Sequence, residues 1–123
     1  MNAHSQAQRA YSAVSAPTRT ARGIEYEALA RVTHRLRSAA ETGLSGFAGL
    51  AAALHDNRRL WCLFAAEAAE PANPLPTDLR ARIFYLAEYT QQQSRKVLAG
   101  DGSVDSLLDI NTAVMRGLRG GEA

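Results

Sequence analysis

Any chemistry in this 123-residue chain would have to come from three histidines, one cysteine and a scatter of carboxylates. His4, His34 and His55 lie far apart, with no histidine partner at i+4 and no cysteine beside them, so their spacing builds no zinc-type site. His55-Asp56 is an isolated dipeptide, expected as a solvated pair on a helix surface. Cys62 stands between Trp61 and Leu63 without an obvious base nearby, and reads as a small core residue. The glycines form neither GxxxxGK[ST] nor a strand-led GxGxxG, so no phosphate cradle is expected. The carboxylates are dispersed. The expectation is a protein that is not an enzyme and that uses no metal and no cofactor.

Binding is the alternative to catalysis, and charge bounds the partners. Lys and Arg number 14 against 12 Asp and Glu, for a net charge of +2. Residues 1–60 hold 8 basic and 4 acidic side chains, residues 61–123 hold 6 and 8. This mild asymmetry is compatible with an acidic or phosphate-bearing partner and equally with an Arg-rich solvated surface. Arg58-Arg59 beside Trp61 is the one cluster that suggests RNA. Trp61, however, falls on an apolar stripe, where core use is favoured over base stacking. A single cysteine excludes an internal disulfide. The amino terminus lacks a secretory pattern, and no apolar run approaches the roughly 20 residues that span a bilayer. A soluble cytoplasmic protein without membrane insertion is expected.

The elements that must position these residues are helical. Hydrophobic residues make up 46% and charged residues 21%, ordinary globular values. Ala, Leu, Arg, Glu and Gln dominate, and no segment alternates long enough to make a half-buried strand. The fold class is all-α: an antiparallel bundle of four main helices with a short N-terminal helical arm. Residues 1–123 form one domain, with 1–19 as the arm and 70–76 as a proline-rich crossover.

Along the chain, a thin stripe of Ala7, Ala10, Tyr11 and Val14 marks a short helix over about 4–14, which Pro17 and Thr18–Arg22 separate from the rest. A second helix, about 20–40, carries Leu29, Val32, Thr33, Leu36 and Ala40 on one face. Its Glu25 and Glu27 come early and Arg35 and Arg37 late, as the helix dipole favours. Gly43 and Gly46 break it, Gly43 as a left-handed cap. A third helix, about 47–69, is expected at the centre, with Phe47, Leu50, Leu54, Trp61, Ala65 and Ala68 as its stripe and Leu60, Leu63 and Phe64 adding apolar surface. The stretch from Ala53 to Ala87, which contains Trp61 and three of the four prolines, organises the whole chain.

Pro71, Pro74 and Pro76 forbid helix across the crossover and tuck Leu75 inward; Thr77 is then placed to cap a fourth helix over 78–98. That helix presents Leu79, Ile83, Leu86, Thr90 and Val97, flanked by Phe84, Tyr85 and Tyr89. Gly100-Asp101-Gly102 stops it, and Ser103 caps a fifth helix over 104–118 bearing Val104, Leu107, Val114, Met115 and Leu118 around Asn111. The expected structural core is Leu36, Leu54, Trp61, Phe64, Ile83, Leu86, Leu107 and Val114.

Asp56-Asn57-Arg58-Arg59-Leu60-Trp61, then Asn73-Pro74-Leu75-Pro76 and Leu79-Arg80-Ala81, form an ordered set that resembles the FlaF family of alphaproteobacterial flagellar proteins. Ser94-Arg95-Lys96-Val97-Leu98 with Gly100, and the tail from Asp109 to Leu118, extend the likeness over about residues 20–118. The resemblance implies regulation of flagellum biosynthesis: a flagellin-binding export chaperone that links flagellin synthesis to secretion and works alongside the partner regulator FlbT. Alternatives are direct binding of flagellin mRNA, or an adaptor docking on FlbT or the export gate.

By analogy with the helical flagellin chaperone FliS, grooves of the bundle and the amino-terminal arm are the expected contact surfaces. Candidate partner-binding residues are polar interruptions of apolar faces, namely Asn57, Arg58 and Asn111, together with the aromatic residues Tyr85, Tyr89 and Tyr11. Each has a structural alternative: the asparagines as ties between helices, the tyrosines as half-buried rings with wet hydroxyls.

Overall fold

The computed structural model describes residues 17–42 and 46–120. Residues 1–16 of the expected arm, with Tyr11, and the Gly43 cap lie outside the described residues; residues 17–19, expected in the arm and its separator, instead open the first helix. Four helices account for most of what is described: α1 (Pro17–Thr42), α2 (Gly46–Ala69), α3 (Thr77–Leu98) and α4 (Asp105–Gly120). No strand occurs among the described residues.

Each helix buries one stripe at three- and four-residue spacing. α1 buries Leu29, Thr33 and Leu36; α2 buries Ala53, Leu54, Asn57, Trp61 and Ala68; α3 buries Ala87, Thr90, Ser94 and Val97; α4 buries Leu107 and Asn111. Leu36, Ala53, Leu54, Val97, Val104 and Leu107 form the apolar core at the end of the bundle that holds the α3–α4 turn. Pairs such as Arg35 with Asp56, Arg58 with Gln91 and Tyr89 with Ser106 run in opposite chain directions, so successive helices are antiparallel. α2 packs on α1 and α3, α1 also packs on α4, and α3 meets α4 only slightly. α2 and α4 therefore occupy one diagonal of the bundle.

The ends of the helices follow local chemistry. α1 starts at Pro17, three residues before the expected Thr20, because proline suits a first helical position where no backbone donor is required. It also runs on to Thr42, so Glu25, Glu27, Arg35 and Arg37 are not in its terminal turns. Arg80 Nε donates to the Ala68 carbonyl at 2.7 Å and so satisfies an end of α2 from across the crossover. Within the crossover the Asn73 side chain bonds the Glu67 carbonyl and the Leu75 N–H, both at 2.8 Å. Thr77 is not the cap of α3. The Pro76 carbonyl already accepts the Arg80 N–H at 3.0 Å, which makes Pro76 the capping residue and Thr77 the first helical one.

α3 closes with the Asp101 N–H on the Lys96 carbonyl at 2.8 Å and the Gly100 N–H on the Val97 carbonyl at 3.0 Å. Gly100 takes φ +82°, the left-handed conformation this ending requires. The Val104 carbonyl accepts the Leu108 N–H at 3.0 Å, so Val104 rather than Ser103 is the capping residue of α4; Ser103 Oγ supports the start by accepting the Asp105 N–H at 3.0 Å.

Several expected core positions lie elsewhere. Phe47, at the first turn of α2 and the end of the bundle, is 65% exposed, and Ala40 is exposed. Cys62 is exposed as well; it follows Trp61 by one residue, about 100° around the helix, and points to the outer seam between α2 and α3. Leu63 is exposed on the same side. Of the expected core set, Leu36, Leu54, Trp61 and Leu107 are fully buried, whereas Phe64, Ile83, Leu86 and Val114 are only half-buried. The reason is the limited contact between α3 and α4: they part after their shared turn and leave the first half of α3 and the second half of α4 incompletely covered.

Candidate functional site

At the level where α1, α2 and α4 converge, the bundle interior is polar. Asn111 of α4 is the hub. Its Nδ2 donates to Asn57 Oδ1 at 2.8 Å and to Thr33 Oγ1 at 3.0 Å, and its Oδ1 accepts Trp61 Nε1 at 2.9 Å. Thr33 Oγ1 passes its own proton to the Leu29 carbonyl at 2.6 Å. Every member of this network is at most 1% exposed. Asn111 thereby uses both donor hydrogens and its acceptor oxygen on the interior of its own chain. Phe64 packs edge-on against Trp61 with ring centroids 5.3 Å apart.

Asn57 and Asn111 therefore tie helices together and are closed to a partner. Asn57 Nδ2 within this network, and Thr90 Oγ1 and Ser94 Oγ on α3, are buried with no hydrogen-bond partner among the described residues. Thr33 and Thr90 are buried on the stripes where their spacing placed them, but their hydrogen-bonding state, and the burial of Ser94, had no signal in sequence, because a small hydroxyl on an otherwise apolar stripe is common in helices.

The two tyrosines differ in role. Tyr89 is half-buried and its hydroxyl donates to Ser106 Oγ at 2.9 Å, bridging α3 to α4 close to their turn. Tyr85, one turn earlier, is 67% exposed. Leu79 and Phe84 are also exposed on the same half of α3, beside the half-buried Ile83 and Leu86. Leu79, Ile83 and Leu86 share one incompletely covered face of α3, and Phe84 and Tyr85 are exposed on its two flanks.

Arg58 is half-buried on the seam between α2 and α3, where its Nε donates to Gln91 Oε1 at 2.9 Å. It lines a cleft of 360 Å³ together with His55, Arg59, Cys62, Leu63 and Gln91. Gln91 had no distinguishing signal in sequence. Tyr11 lies outside the described residues. The structure thus brings Asn57 and Asn111 together in the core and places Arg58 and Tyr85 on separate surfaces.

Among the described residues no three of His, Cys, Asp or Glu are grouped to hold a metal ion. No helix among them is long and apolar enough to cross a membrane. Comparison with curated proteins and with solved structures gives no significant match. A family model described as flagellar protein FlaF matches residues 7–118, nearly the full length of the chain. On that match, and with the all-α bundle expected from its sequence, the chain belongs to the FlaF family of flagellar proteins.

Proposed function

We propose that this protein is a cytoplasmic flagellin-binding chaperone that links flagellin synthesis to export. The observation that carries the proposal is the incompletely covered apolar stripe of Leu79, Ile83 and Leu86 on the first half of α3, with Phe84 and Tyr85 exposed on its two flanks. Apolar side chains left uncovered on successive turns of a helix support an interaction surface there. An amphipathic client segment laid along α3 would cover them, and the buried area would offset the entropy of ordering that segment. Membership of a flagellar family is in keeping with a client from the flagellum.

A direct RNA-binding role draws less support from the side chains. Trp61, the aromatic residue beside Arg58-Arg59, is 1% exposed and hydrogen-bonded inside the bundle, so it offers no stacking platform.

The test is co-elution of the purified protein with flagellin by size exclusion at low salt. A stoichiometric complex is expected, and it should weaken when Phe84 and Tyr85 are both replaced by Ser. Because both side chains are exposed, the double variant should melt like the parent. Absence of a complex, or a complex indifferent to the double variant, would refute the proposed client surface. Capture of FlbT without flagellin would replace the chaperone with an adaptor.

A further inference from the structure

Among the described residues, Arg35 pairs with Asp56 at 3.5 Å on the surface, and Arg80 bonds the Ala68 carbonyl. Arg58 and Arg59 stand side by side at a cleft. Arg59 is exposed and makes no hydrogen bond or ion pair among the described residues. Arg58 uses Nε alone: Gln91 Oε1 accepts it at 2.9 Å, while Gln91 Nε2 reaches back to the Arg58 carbonyl at 3.4 Å and to Cys62 Sγ at 3.2 Å. The glutamine thus orients the guanidinium plane and leaves Nη1 and Nη2 without a partner among the described residues. A guanidinium held this way presents its terminal fork end-on, the geometry that takes both oxygens of a carboxylate.

The surroundings favour the same ligand. The cleft is lined by two arginines and a histidine, with no carboxylate. Arg95 lies one turn along α3 from Gln91, exposed and likewise without a carboxylate partner among the described residues. Leu63, also in the lining, is 57% exposed. We infer that this cleft binds an acidic helical segment of a partner protein, with Arg58 and Arg59 pairing its carboxylates and Leu63 covering an apolar side chain between them.

The charge pattern suits a short acidic segment better than a nucleic acid. A single strand follows an extended basic groove and stacks bases on aromatic rings. Here no aromatic side chain lines the cleft, and Glu88 sits one turn from Gln91 in the direction away from Arg95. The inference does not depend on the client surface of α3, because it uses different residues and a different chemistry.

The experiment uses the full chain and three fluorescent probes: an amphipathic helical peptide with Glu and Leu at i, i+3 and i+4 spacing, its twin with Gln for Glu, and an oligouridylate. Saturable binding of the Glu peptide is expected, weakening as salt rises. Arg59→Glu should weaken it by roughly tenfold or more, as should Arg58→Gln. Arg59→Glu removes no internal contact, so its melting temperature should stay at the parent value and separate lost binding from lost folding. Cys62 is the one thiol of the chain and lines the cleft; the Glu peptide should therefore slow its alkylation by a maleimide. The inference is overturned if no probe binds, if the Gln twin binds as well, or if the oligouridylate binds in its place. It is equally overturned if Arg59→Glu changes nothing or Cys62 stays unshielded.

Discussion

Trp61 Nε1 of α2 donates to Asn111 Oδ1 of α4 at 2.9 Å across the diagonal of the bundle. These two helices have no backbone close approach of their own, so the bond and the ring it orients connect elements that otherwise only share neighbours. The same carboxamide holds α1 through Thr33 and α2 again through Asn57. Replacing Asn111 with Ala strands the indole N–H, which has no other acceptor. A loss of at least about 3 kcal/mol is expected, since each buried polar group deprived of its partner costs about 1–3 kcal/mol. The urea midpoint measures it, and a shift worth less than about 1 kcal/mol would show that the network is not a tie.

Trp61→Ala should cost about 3–5 kcal/mol, because a fully buried aromatic side chain leaves a cavity beside Phe64 and Asn111 that rigid helices do not fill. As the sole tryptophan, its native emission should be blue-shifted and poorly quenched by acrylamide. A red-shifted, freely quenched signal would place the indole at the surface.

Thr90→Val and Ser94→Ala should be neutral or stabilising, by up to about 1 kcal/mol each. Both hydroxyls are buried without partners, and Thr90→Val keeps the shape of the side chain. Thermal melts decide it; a marked loss in either variant would mean that the hydroxyl has a partner in solution.

Gly100→Ala should destabilise the protein by about 1 kcal/mol. Open space surrounds the position, with nothing within 4 Å of an added Cβ, so the cost comes from φ +82° alone. Gly117→Ala, equally open but within α4 at ordinary φ, is the control and should be slightly stabilising. Equal effects of the two changes in denaturation experiments would remove backbone strain as the explanation.

Much of the fold was legible from local chemistry. Periodic apolar positions located four helices, proline chemistry set the crossover, and Gly100 with Ser103 marked the α3–α4 turn. Those signals act within a few residues of one another, which is why they survive without knowledge of neighbours. Asn57, Arg58 and Asn111 were recognisable as polar interruptions of helical faces and Tyr85 as an aromatic residue on a flank, but their roles were not. A polar residue on an apolar stripe reads the same whether it bonds another helix, as Asn111 does, or lines an open cleft, as Arg58 does.

By itself, the sequence determined an all-helical chain, its element boundaries to within a few residues, and the residues that tie it to the FlaF family. The tertiary structure alone decided which faces are covered. Cys62 and Leu63 follow Trp61 immediately, yet only the indole is enclosed, so one position is interior and the next two are surface. Ile83, Leu86 and Val114 carry ordinary core residues, yet they remain half-covered because α3 and α4 diverge. Side-chain type sets what a residue gains from burial; the angle between helices sets whether burial is available.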